Sequence, residues 1–235
     1  DQNRRLHYRR EDMDPAAPAG GRFLTTDDYD LAEAEYDEGY GPDADLRITH
    51  RRRVMFMKRG VKGLGPFLLV VDRLLPQDAD AHTYQVLWHT NGGTASQEGL
   101  VVATCDPGCA NLTILPAPLD GLRVATVAGQ SPEDGGDQAR EWQGWVAVKD
   151  HQQGQYEPAP TAVYETEAVG PVRLVTLLYP TRAGEECPAA GVFAGADPSA
   201  TDIRLSLRDG GVVHLDEGGL RPDDLVMSES ARYLR

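Results

Sequence analysis

Three residues in the first half of the chain have the types and spacing of a metal site: His50, Asp72 and His82. Two imidazoles and a carboxylate, with water completing a four-coordinate shell, form a donor set that suits zinc. The expectation depends on three short runs being consecutive strands. Val54–Met57 is followed by a glycine-rich turn, Lys58–Pro66, then by Phe67–Asp72, a loop over Leu74–Ala81, and Thr83–Trp88. In a simple antiparallel meander, His50 before the first strand, Asp72 ending the second and His82 opening the third meet at one edge of the sheet. His89 competes for the third place, but it lies about 23 Å further along the strand at roughly 3.3 Å per residue. The plainer alternative is that Asp72 pairs with Arg73 or Arg51 and both histidines are ordinary surface residues.

Other chemistry-bearing groups are less complete. Cys105 and Cys109 flank Asp106-Pro107-Gly108, a spacing open to a zinc half-site, a disulfide across a turn or two free thiols. No second Cys or His pair of suitable spacing completes four ligands, and with Cys187 the cysteine count is odd. Asp27, Asp28 and Asp30 lack the glycine-bearing loop of a calcium site and read as a solvated acidic loop. Trp142 and Trp145 fit either a sugar-stacking platform or buried aromatics. Asn111-Leu112-Thr113 is a formal glycosylation sequon. No nucleophile elbow, phosphate loop or dinucleotide fingerprint is present, which removes the usual supports of serine-hydrolase and nucleotide-binding readings.

The elements that must position these residues are short and β-rich. Beyond the first three runs, strands are expected at Leu100–Thr104, Asn111–Leu115, Leu122–Ala128, Gly144–Val148, Thr161–Tyr164, Val172–Tyr179, Ile203–Leu207 and Val212–Leu215. Their even spacing, with 25 Gly and 16 Pro as punctuation, predicts an all-β, antiparallel two-sheet β-sandwich. Thr25–Tyr40 is open to two readings, a short capped helix or a strand over Tyr29–Tyr36. No apolar run approaches the roughly 18 residues that span a bilayer.

A formal charge of −14 disfavours nucleic acid, whose phosphates need a basic footprint, and fits poorly with a heavily sulfated glycan over most of the surface. The charge is uneven. Asp27–Asp45 is acidic, whereas Arg47, Arg51, Arg52, Arg53, Lys58, Arg59 and Lys62 crowd the next stretch, a local basic face that suits an anionic sugar or a set of solvated charges.

Three blocks of sequence resemble one family. Thr49-His50-Arg51-Arg52-Arg53-Val54-Met55-Phe56, Leu69-Val70-Val71-Asp72-Arg73-Leu74 and His82-Thr83-Tyr84-Gln85-Val86-Leu87-Trp88-His89 resemble the β-sandwich of heparinase II/III-like polysaccharide lyases. Tyr36-Asp37-Glu38-Gly39-Tyr40 resembles the run before the His-Arg strand, Leu174–Pro180 resembles a late strand, and Asp1-Gln2-Asn3 the opening of the sandwich.

The resemblance implies that residues 1–235 are a single sandwich domain, with 1–45 a loop-rich entry segment. It implies a larger, exported bacterial lyase in which an N-terminal (α/α) toroid is the partner. Such enzymes cleave uronic-acid-containing polysaccharides by β-elimination: a neutralised carboxylate acidifies the C5 proton, a His or Tyr base removes it, and an acid protonates the leaving oxygen. The resemblance also implies a structural zinc at His50, Asp72 and His82. Ile48 stands where some members carry a catalytic His, and the toroid that supplies the principal base and acid lies outside these residues. The expectation is therefore a chain with no catalytic residue of its own: a fragment, a processed chain or a degenerate relative. The alternative is a non-catalytic carbohydrate-binding or structural sandwich.

Overall fold

Phe67–Val71 is apolar at every position, which a strand needs only when both of its faces are buried. A computed structural model, describing residues 21–37, 39–40, 45–131, 143–147, 156–195 and 197–217, shows how that happens. The described residues form strands and no helix. In chain order these are β1 (Arg22–Thr25), β2 (Tyr29–Tyr36), β3 (Ile48–Met57), β4 (Phe67–Pro76) and β5 (Ala81–His89). Then come β6 (Ala95–Glu98), β7 (Val101–Thr104), β8 (Asn111–Pro116), β9 (Arg123–Val127), β10 (Trp145–Ala147) and β11 (Tyr156–Pro158). The last are β12 (Thr161–Val169), β13 (Val172–Thr181), β14 (Ala189–Ala194), β15 (Asp202–Leu207) and β16 (Val212–Asp216). The strand reading of Tyr29–Tyr36 is the one that forms. Glycines close the tight turns. At Gly60, with φ of 68°, an added Cβ would lie 2.1 Å from the Leu64 carbonyl oxygen.

The all-β sandwich expected from the sequence is present, and every strand pairing in it is antiparallel. An eight-stranded sheet, ordered β1-β2-β3-β4-β13-β8-β7-β6, forms its centre. Two three-stranded sheets accompany it, β5-β12-β9 and β14-β15-β16, together with the small pair β10-β11. Side-chain alternation shows the layering. Met55 and Met57 of β3, Phe67, Leu69 and Val71 of β4, and Val175 and Leu177 of β13 share one core with Val192, Ile203, Leu205 and Val213 of β14–β16. Residues of opposite parity, Ile48, Leu74, Val172 and Leu174, share the other core with Tyr84, Val86, Ala162 and Tyr164 of β5 and β12. The central sheet thus has a covering sheet on each face. Each large side chain fully buried this way stabilises the fold by about 1.5–3 kcal/mol.

Two features join the layers. Glu217, fully buried just after β16, receives hydrogen bonds from Arg73 on β4 and Arg173 on β13, and Arg53 on β3 lies 3.5 Å away. The second concerns chain path. Each edge of β4 is occupied, by β3 on one side and β13 on the other. With no free edge to pair with, β5 crosses to the covering layer and aligns with β12 instead.

The uneven charge distribution is resolved by the β2–β3 register. Glu33 lies opposite Arg53 and Glu35 opposite Arg51, and both pairs are ion-paired. Lys58 reaches Asp30 at 2.7 Å and Arg59 reaches Asp28 at 3.2 Å. Along β2 and β3 the acidic and basic residues are neighbours that neutralise each other, whereas Lys62, beyond β3, makes no ion pair among the described residues.

Candidate functional site

His50 and Arg52 are two apart on β3 and therefore project from the same face, where β4 presents Asp72 directly opposite Arg52. Asp72 is 1% exposed. Its Oδ1 accepts from Arg52 Nε at 2.6 Å and lies 2.7 Å from His50 Nε2, while Oδ2 accepts from the second Arg52 nitrogen at 3.0 Å. On the other side of the ring, His50 Nδ1 lies 3.0 Å from the Tyr40 hydroxyl. Tyr40 is positioned by a short antiparallel bridge to Leu46 and by an edge-to-face contact with Tyr36, at 5.4 Å between ring centroids. From the covering sheet, Trp88 of β5 supports the Arg52 guanidinium, 5.5 Å from its ring centroid.

The electrostatics determine where the protons sit. Burial pushes the Asp72 carboxyl up, but hydrogen bonds from His50 and Arg52, with the Arg52 charge, hold it below the ordinary carboxylate value. An ionised carboxylate only accepts, so His50 Nε2 carries its proton toward Asp72. In the neutral imidazole, Nδ1 then holds the lone pair and accepts from the Tyr40 hydroxyl. The result is an oriented Tyr40–His50–Asp72 chain, capped by a guanidinium that is 40% exposed and faces solvent beside Trp88. Such an arrangement can hold an imidazole in one tautomer, accept a proton at Nδ1 and present a fixed cation to an anionic group.

The structure brings together two of the three expected metal ligands. His50 and Asp72 meet, whereas His82 lies on β5 in the covering layer, where its Nε2 is 2.6 Å from Asp78 Oδ1. The meander assumption behind the common edge is corrected here, because β13 takes the β4 edge that β5 would have needed. As arranged, both Asp72 oxygens accept hydrogen bonds and His50 Nε2 faces Asp72, so a zinc ion here would have to displace the Arg52 and Asp78 contacts. Among the described residues, no group of three or more His, Cys, Asp or Glu side chains converges as a metal site. His89 is exposed, with its Nδ1 2.9 Å from the Thr161 hydroxyl.

Sequence reasoning missed Tyr40, Trp88 and the pairing of Asp72 with Arg52 rather than Arg51 or Arg73. The Arg52 partnership had a usable signal, since only the even-numbered β3 residues share a face with His50. Arg51 points the other way to Glu35, and Arg73 to Glu217. Ile48 fills a core position at 6% exposure. The three cysteines are free thiols, with Cys105 and Cys109 exposed and Cys187 buried. Trp145 donates its indole N–H to the Gln130 carbonyl, and Trp142 lies outside the described residues. Two buried donors on β5, the Tyr84 hydroxyl and the Trp88 indole N–H, have no hydrogen-bond partner among the described residues.

No protein-family model matches the sequence, and no curated protein matches it closely. Solved structures do. The heparan sulfate lyase HepC from Pedobacter heparinus is similar with a TM-score of 0.60 and 14% identity, over 84% of this chain and 27% of that one. A structure of heparinase III is similar with a TM-score of 0.56 and 14% identity, over 83% of this chain and 27% of that one. At such identities the likeness establishes the fold. The chain spans 27% of the length of these lyases and shares the sandwich architecture of that portion.

Proposed function

We propose that this chain is the β-sandwich portion of a heparinase II/III-like lyase that cleaves uronic-acid-containing polysaccharide by β-elimination. In this reading it acts beside an N-terminal (α/α) toroid that carries the principal base and acid. The observation that supports it is the likeness of more than four-fifths of the chain to heparan sulfate lyases. The His50 edge would form part of one cleft wall. There Arg52, braced by Asp72 and Trp88, would face a uronate carboxylate, and neutralising that carboxylate is what makes the C5 proton removable.

The test is to incubate the intact protein carrying this chain with a panel of uronans and follow the ultraviolet absorbance of the unsaturated uronate product. Product from at least one uronan, reduced in Arg52→Gln, is the expected result. No product from any of them, with no uronan binding, overturns the reading.

We propose separately that His50, Asp72 and His82 hold a structural zinc. It requires Arg52 to leave Asp72 and His82 to leave Asp78. Metal analysis after chelation and zinc reloading decides it: one zinc per chain, lost in both His50→Ala and Asp72→Ala, supports the site, and none under any loading condition removes it.

A further inference from the structure

The outer face of the β14–β15–β16 sheet carries a second, unrelated cluster. Phe193, Arg204 and His214 lie directly opposite one another in register on the three strands. Their neighbours in sequence, Val192, Ile203, Leu205, Val213 and Leu215, point inward to the core, so this row points outward. Phe193 is 42% exposed on this outer face. The Arg204 guanidinium lies over its ring, 4.9 Å from the centroid. Among the described residues, Arg204 makes no hydrogen bond or ion pair, so its N–H donors are held in place and unused.

Backbone space is reserved for this arrangement. A Cβ at Gly191 would come within 3.0 Å of the Ser206 hydroxyl and 3.2 Å of the Phe193 ring. Phe193 therefore lies down over Gly191, beside Ser206. A groove of about 530 Å³ runs along this face, lined by Phe193, Arg204, Ser206, His214 and Lys62 among others. None of its described lining residues is acidic. In a chain with 37 acidic residues and a net charge of −14, Arg204 and Lys62 line this groove, while Asp209 lies beside it and accepts from the Gly211 N–H at 2.8 Å. Asp202 and Asp216, opposite each other two residues along, line the adjoining stretch of the same face together with Phe193, Arg204 and His214.

We propose that this face is a glycan-binding surface for a carboxylated sugar chain, on the opposite side of the central sheet from His50. Arg204, pre-oriented on Phe193, takes a uronate carboxylate through its free N–H donors. Lys62 and His214 flank that carboxylate, and Ser206 offers a hydroxyl to the ring oxygens. An anionic chain is favoured over a neutral one because Arg204 and Lys62, which make no ion pair among the described residues, supply the recognition. The choice of uronate rests on the lyase reading above. A site of this kind would hold the polymer to the protein between cleavage events, without chemistry.

Affinity electrophoresis of the protein in gels containing alginate, heparan sulfate or neutral dextran tests this. Retardation by the two acidic polymers but not by dextran is expected. Arg204→Gln and Phe193→Ala should each weaken it about tenfold or more, as expected for loss of one charge-assisted contact. Arg123→Gln, which removes an exposed arginine on the other covering sheet, should leave retardation unchanged. Retardation that survives both Arg204→Gln and Phe193→Ala overturns this surface and leaves the lyase reading intact. Retardation by heparan sulfate alone makes the ligand group a sulfate and overturns the carboxylate assignment. No retardation by either acidic polymer overturns the surface, and if the product assay is also negative the lyase reading fails with it. Melting temperatures of the variants, expected to match the parent at these exposed positions, separate lost binding from lost folding.

Discussion

Replacing Glu217 with Gln tests whether the two layers of the larger core are held by charge as well as by apolar packing. Glu217 and Arg173 are both fully buried and 2.9 Å apart, with Arg73 and Arg53 against the same carboxylate. Gln keeps the shape and removes the charge, so three guanidiniums from β3, β4 and β13 lose their shared counter-ion. Breaking a buried ion network from one side costs about 3–5 kcal/mol.

The partners do not suffer equally. Arg53 keeps Glu33, and Arg73 keeps the Pro198 and Ala200 carbonyls at 2.9 and 3.1 Å. Arg173 keeps only contacts of 3.3–3.4 Å to the Gly195 and Asp202 carbonyls. The loss therefore falls mainly on Arg173 and should lie near the lower end, about 3 kcal/mol. For a chain of this size that lowers the melting temperature by roughly 6–12 °C. Circular dichroism melts of the parent and Glu217→Gln measure it, with Glu35→Gln as the comparison. Glu35 and Arg51 are 33% and 45% exposed, and an exposed pair contributes about 0–1 kcal/mol. A Glu217→Gln shift no larger than that of Glu35→Gln would refute the reasoning, because Arg173 would then be solvated without its carboxylate.

Asp72 should impose an acid dependence on stability. Its folded value is lowered, so its contribution is fully present above the unfolded value near ~3.9 and is lost as pH falls through the folded one. Urea midpoints measured from about pH 6 to about pH 2 should fall less steeply in Asp72→Asn than in the parent; equal slopes would count against the ionised, doubly bonded carboxylate. Tyr84→Phe should raise stability by about 1 kcal/mol, because it removes a buried hydroxyl with no protein partner. Burial, with the Asp78 charge, pushes that phenol up to about 12, so it is neutral across the measurable range. A lower melting temperature in Tyr84→Phe would mean that the hydroxyl is hydrogen-bonded after all, through water.

Local pattern determined most of the strands. β4, β5, β8, β13, β15 and β16 follow from apolar or alternating runs between Gly, Pro and Asp, because pleat geometry and turn chemistry act over a few residues. The short, polar β1, β6 and β11 and the small-residue β14 carry no such signal. The wholly apolar Phe67–Val71 already implied burial on both faces, although it could not identify the covering sheets.

The sequence alone also set His50 and Asp72 at the same end of two consecutive strands, although the long connection over Lys58–Pro66 left the register, and hence their contact, open. It could not place His82, because whether β5 extends the sheet or leaves it depends on β13, about a hundred residues later, claiming the same edge. Long-range assembly likewise decided which arginine served Asp72, brought Tyr40 and Trp88 to the site, and set Glu217 among three arginines from distant strands. It also turned Phe193, Arg204 and His214 into one outward row, because each is an unremarkable residue until three strands align.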